Sequence, residues 1–219
     1  MLILIFLSFL FISSFVLFIT SRHDFVLLRQ NISIRHIFDK AFIVLFFALI
    51  ASRAAYLVDE KMYDFFLDPL RFLHVILYYG FNLLGLIAVF SLGIFFFFRK
   101  RKNFMRIFDI YMLAFYPLII FQAIEYILTT QIQISITLSY LIVTLLFLIF
   151  LIKIHTGFKI KDGVVSFIVL IFTSISYLGY SFLNNKIAIY SPIQILAILI
   201  ISISIYLLVL IQINFFKEK

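Results

Sequence analysis

Runs of about twenty residues with almost no charge recur along this 219-residue chain, and no other feature restricts its fold so severely. A helix rises about 1.5 Å per residue, so roughly 20 apolar residues cross the ~30 Å hydrocarbon core of a bilayer. Residues 1–20 carry no charge, 41–58 carry only Arg53, and 75–98 carry none. Residues 107–128 contain Asp109 and Glu125, while 134–152, 163–185 and 187–213 are again uncharged. With 65% hydrophobic and 13% charged residues, a soluble domain could not cover this much apolar surface. The expectation is a single all-α domain, a polytopic bundle of seven transmembrane helices over these spans.

Orientation follows from the basic residues between the spans, because cytoplasmic loops carry the Lys/Arg excess. Arg22, Arg29, Arg35 and Lys40 follow the first span, and Arg99, Lys100, Arg101, Lys102 and Arg106 follow the third. Lys153, Lys159 and Lys161 follow the fifth, and the chain ends Lys217-Glu218-Lys219. The alternate gaps are acid-balanced, with Asp59, Glu60, Lys61, Asp64, Asp68 and Arg71, or nearly uncharged. The pattern predicts the N-terminus outside and the C-terminus in the cytoplasm, in a multi-pass protein of the cytoplasmic membrane. The first span has no basic region before it and no small-residue cleavage site after it, so it reads as a retained helix and not as a signal peptide.

The formal charge of +8 is thus first a topology signal. Nucleic-acid binding is disfavoured, since the cations are spread over juxtamembrane turns. The run from Arg99 to Arg106 is also suited to anionic headgroups. Zero cysteines remove disulfides, thiolate metal sites and Cys nucleophiles, and His23, His36, His74 and His155 fall in different gaps, so neither a metal centre nor a cofactor is expected. There is no Gly-rich phosphate loop, no Ser-His-Asp order, and no repeat with matched helix interruptions.

What remains is a short set of polar groups at membrane depth, which are expensive to keep there and are functional candidates by default. Arg53, about five residues from the outer end of its span, either snorkels to the interface or faces the bundle interior toward a lipid phosphate. Glu125 at similar depth is either an interfacial carboxylate or a partner for Arg53. Asn82 and Gln122 read as interhelical hydrogen-bond donors and acceptors or as lipid contacts. Gly80, Gly85 and Gly93 suggest close helix packing, Asp68-Pro69 a cap, Pro117 a kink, and Pro192 a helix start.

The segment Ala51-Ser52-Arg53-Ala54-Ala55-Tyr56, then Asp68-Pro69-Leu70, then Gly85-Leu86-Ile87, resembles the bacterial prolipoprotein diacylglyceryl transferases. That family has a Gly-Ala-Arg-x-x-Tyr segment, an Asp-Pro-Leu at this spacing and a Ser-Phe-His-Gly-Gly-Leu-Ile-Gly motif. The likeness continues at Arg99 to Lys102, Asp109, Gly163 and Gln194. It implies a seven-helix, N-out and C-in bundle. It also implies transfer of the diacylglyceryl group of phosphatidylglycerol to the lipobox cysteine of a prolipoprotein. The partners implied are membrane phospholipid and prolipoprotein signal peptides.

The departures fall on the chemistry. Leu83 stands where the family has its motif histidine, and Gln122-Ala123-Ile124-Glu125-Tyr126-Ile127 stands for Gly-Arg-Ile-Gly-Asn-Phe. Tyr177 to Asn184 replaces Arg-Phe-x-x-Glu-x-x-Arg without any of its charges. Arg53 alone of the functional cations carries over. Two readings stay open: a transferase with an altered constellation using Arg53 and Glu125 as catalytic candidates, with Arg53, Asn82 and Gln122 at the lipid, or a non-catalytic protein binding a lipid or partner helix on the same scaffold. A small transporter or channel is a third class, disfavoured by the lack of repeats and of a charged relay.

Overall fold

The computed structural model describes residues 2–24, 27–28, 32–62, 80–101, 103–129, 134–156, 161–183 and 191–217, and these are helical with short connections. In chain order the helices are α1 (Leu2–His23), α2 (Ile34–Asp59), α3 (Leu83–Phe98), α4 (Phe104–Phe115), α5 (Pro117–Thr129), α6 (Ile134–Thr156), α7 (Val164–Leu183) and α8 (Pro192–Lys217). Among the described residues, six helical segments, with α4 and α5 counted as one, are long and apolar enough to cross a membrane; α3, at 16 residues, is shorter.

Caps and prolines set the boundaries. Ser33 accepts a hydrogen bond from the His36 N–H at 3.2 Å, so α2 begins seven residues before the expected span and includes Arg35 and Lys40. The third span was expected from residue 75, but Gly80, Phe81 and Asn82 are not helical, because Asn82 caps α3 by accepting from the Gly85 N–H at 3.1 Å. Residues 75–79, the Asp68-Pro69 cap, His74 and Asn184 lie outside the described residues. Pro192 opens α8, where its missing N–H costs nothing.

Pro117 has the predicted effect. It supplies no N–H to the helix, and the turn tightens around it: Tyr116 N–H donates to Leu113 at 3.3 Å and Ile119 N–H donates to Tyr116 at 2.8 Å. The single span expected over 107–128 is therefore two helices, α4 and α5.

The α4–α5 column is central. Every residue from Arg106 to Gln122 is buried, whereas α1, α6 and α8 expose rows such as Leu4, Leu7, Phe11, Phe15 and Phe18. The segment that carries two charges and two tyrosines sits inside, and helices that are mostly apolar sit outside, as expected where the surroundings are hydrocarbon. The Tyr111 hydroxyl donates to the Ile37 carbonyl at 2.7 Å and the Tyr116 hydroxyl to the Thr144 carbonyl at 3.0 Å, which ties the column to α2 and α6.

Helices α2 and α3 pack antiparallel, with His36 against Phe98, Lys40 over Phe97, and Ser52 bonded to Asn82. Gly85 and Gly93 let them approach: a methyl group on Gly85 would strike Ala55, and one on Gly93 would strike Val44. The other main pairings are α7 with α8, α1 with α4 and α5, α5 with α6, and α4 with α7.

Candidate functional site

Two buried polar groups occupy opposite ends of the bundle. The first forms where α2 and α7 end and α3 and α8 begin, on the side of the acid-balanced loops. Ser52 and Asn82 lock the α2–α3 junction reciprocally: Ser52 Oγ donates to the Asn82 carbonyl at 2.8 Å, and Asn82 N–H donates to the Ser52 carbonyl at 3.1 Å. That junction fixes the chain at Gly80, whose carbonyl accepts from Arg53 Nη1 at 3.0 Å. The Arg53 guanidinium also lies 5.6 Å from the centre of the Tyr56 ring.

Arg53 is 2% exposed. Its burial and its bond to Gly80 are those of a side chain packed within the protein.

Asn82 is the predicted interhelical tie, although it works through its backbone and its cap as much as through its amide. Its side chain also comes within hydrogen-bonding reach of Tyr177, whose hydroxyl donates to Asp59 Oδ2 at 2.9 Å. Nearby, Gln194 Nε2 donates to Ser181 Oγ at 2.7 Å, while Ser191 and Gln194 cap the start of α8, each side-chain oxygen accepting from the other's backbone N–H. Thus Arg53, Asn82 and Gln194, which the sequence picks out separately, share one region with Tyr177 and Asp59, which it does not.

Gln122 and Glu125 lie on α5, the former buried and the latter half-buried. Aromatic packing links their helix to the Arg53 junction: Phe6 of α1 stacks on Phe81 at 5.2 Å and meets Phe121 edge-on at 5.3 Å. Leu83, in the position of the resembled histidine, is buried in the first turn of α3 and offers neither a donor nor an acceptor on its side chain.

The second group is at the basic-loop end, and sequence reasoning missed it. Arg106 Nε donates to Asp24 Oδ2 at 2.8 Å, with Arg106 5% and Asp24 3% exposed, and Arg106 Nη1 lies 3.7 Å from Asp162 Oδ1. Arg106 thus leaves the loop cluster in which its sequence position placed it. Asp109, one turn further along α4, accepts from the N–H groups of Gly163 and Ser166 at 2.7 and 2.8 Å and from Ser166 Oγ at 2.6 Å. It caps α7 from another helix, and Gly163 takes the left-handed φ of +97° that the turn requires. Burial pushes the Asp162 carboxyl above its ordinary pKa, and Arg106 opposes that shift. His155 is buried at the end of α6, with Nδ1 not hydrogen-bonded among the described residues.

The available signals were Asp109 inside an apolar run, Asp162 as the single acid of its basic gap, and Asp24 as one of two acids in its own. These contacts tie α1, α4 and α7 together, so the group's evident work is structural. No protein-family model, curated protein or solved structure matches the chain.

Proposed function

We propose that this chain is a divergent protein of the prolipoprotein diacylglyceryl transferase type, a multi-pass protein of the cytoplasmic membrane that holds a phospholipid headgroup at Arg53. In this reading seven helices cross the bilayer with the N-terminus outside and the C-terminus in the cytoplasm, so that the Arg53 junction faces outward. The observation that carries it is the buried Arg53 guanidinium, bonded to the Gly80 carbonyl next to the Ser52–Asn82 junction of α2 and α3. Such a cation suits the phosphate of phosphatidylglycerol, because charge-assisted bonds to a phosphate gain strength away from water. In the reaction the resemblance implies, a thiolate forms the C–S bond to the diacylglyceryl carbon as the C–O bond to glycerol phosphate breaks, so the cation also stabilises the leaving charge.

Catalysis needs a base as well, and Glu125 is the candidate on this side of the bundle. The buried Leu83 favours a second reading, in which the scaffold binds a lipid or a partner helix without chemistry. The deciding experiment incubates the purified, lipid-reconstituted protein with phosphatidylglycerol and a lipobox peptide and follows the peptide's mass. A gain of one diacylglyceryl group, lost in Arg53→Ala and reduced in Glu125→Gln, establishes the transferase. An unchanged mass beside a working transferase refutes it and leaves the binding reading.

A further inference from the structure

The opposite end of the α2–α3 pair carries a second lipid-facing feature, and its case does not rest on Arg53. The first turns of α2 bring Arg35, Asp39 and Lys40 alongside Arg99, Lys100 and Arg101, which follow directly on α3. The antiparallel packing makes the juxtaposition: His36 meets the Phe98 ring edge at 6.0 Å, and Lys40 Nζ sits 4.5 Å from the centre of the Phe97 ring. Arg99 folds over Phe96 at 5.6 Å. The arrangement recurs at the same end of the bundle on α1, where Arg22 lies over Phe18 at 5.9 Å.

Here five cations face one carboxylate, Asp39. Its 3.9 Å contact with Arg35 joins two well-exposed side chains and neutralises little. Lys100 and Arg101 are exposed as well. Directly below the cations the surface is apolar, with Phe96, Phe97 and Phe42 all exposed. An occupant must therefore be anionic at one end and apolar along its length.

We infer that the Lys40–Arg99 end of the α2–α3 pair is a binding surface for anionic phospholipids, with the headgroup phosphate between Lys40 and Arg99 and an acyl chain along Phe96 and Phe97. The rings hold each cation at headgroup depth, which lowers the freedom lost when a phosphate docks. The attraction is electrostatic and open to solvent, so it weakens with salt. A free phosphate ester has the same polar chemistry but not the apolar half, and the test separates the two.

The full chain is reconstituted in phosphatidylcholine, and spin-labelled phosphatidylserine is compared with spin-labelled phosphatidylcholine for association with the protein surface. The wild-type protein is expected to prefer the serine lipid severalfold. Lys40→Gln/Arg99→Gln should bring that preference down to near one, because each cation contributes at most about 1 kcal/mol, or about fivefold. The charge-conserving Lys40→Arg/Arg99→Lys variant should retain it, which controls for folding. Equal association of both lipids with the wild-type protein would overturn the inference. So would an undiminished preference in the neutral double variant, or its erasure by millimolar glycerol 3-phosphate, which would assign a site for free anions.

Discussion

Arg53 and Arg106 are both buried arginines near helix ends, yet their surroundings give them different work. Arg106 is enclosed by carboxylates, with Asp24 at 2.8 Å and Asp162 at 3.7 Å, so its charge is spent inside the protein. Arg53 bonds the Gly80 carbonyl and lies over the Tyr56 ring at the other end of the bundle. Removing one member of a buried ion pair strands the other, typically at 3–5 kcal/mol, whereas replacing both with apolar groups is often nearly neutral. Arg106→Leu should thus lower unfolding stability in detergent by about 3–5 kcal/mol, and adding Asp24→Leu should restore most of it. Equal and additive losses in the two single variants would show that the pair does not hold α1 to α4. Arg53 was legible from the sequence because a lone cation in an apolar run is visible there. Arg106 was not, because its charged neighbours in sequence made it look like part of a loop.

At the scale of elements, most helices were legible and their ends were not. Hydrophobic runs report the length a bilayer covers, but the start of α2 is set by Ser33 and that of α3 by Asn82, polar residues outside or at the edge of the apolar signal. The end of α2 shows the same control. Met62 N–H donates to Leu57 at 2.9 Å and Lys61 N–H to Val58 at 3.2 Å, the double closure of a helix that terminates in a left-handed residue. That residue is Lys61, with φ of 58°, where glycine is at ease and a residue with a Cβ is not. Lys61→Gly should raise stability by about 0.5–1 kcal/mol, read as a higher thermal midpoint. A lower midpoint would mean that the lysine side chain contributes more than its backbone costs. The break at Pro117 was readable because proline carries its own geometry, whereas the cap that Asp109 gives α7 joins residues more than fifty positions apart and leaves no local mark.

For the whole molecule, the absence of cysteine permits a direct test of topology, since any introduced thiol is the only one. In the proposed orientation, Lys61→Cys should react with an impermeant maleimide added outside intact cells, and Arg101→Cys should react only after the membrane is opened. The reverse pattern would invert the protein and move the Arg53 junction to the cytoplasmic side. The sequence by itself determined that the chain is helical and built for a bilayer, and which of its residues are costly there. It could do so because apolar length and charge count are properties of single segments, with no need to know what packs on what. The tertiary structure decided that the α4–α5 column is central and that Arg53 is buried. It also brought Asn82, Tyr177 and Gln194 to one end of the bundle, and Asp24, Arg106 and Asp109 to the other. Those outcomes depend on contacts between distant segments, where one hydrogen bond at 3 Å overrides what either segment prefers alone.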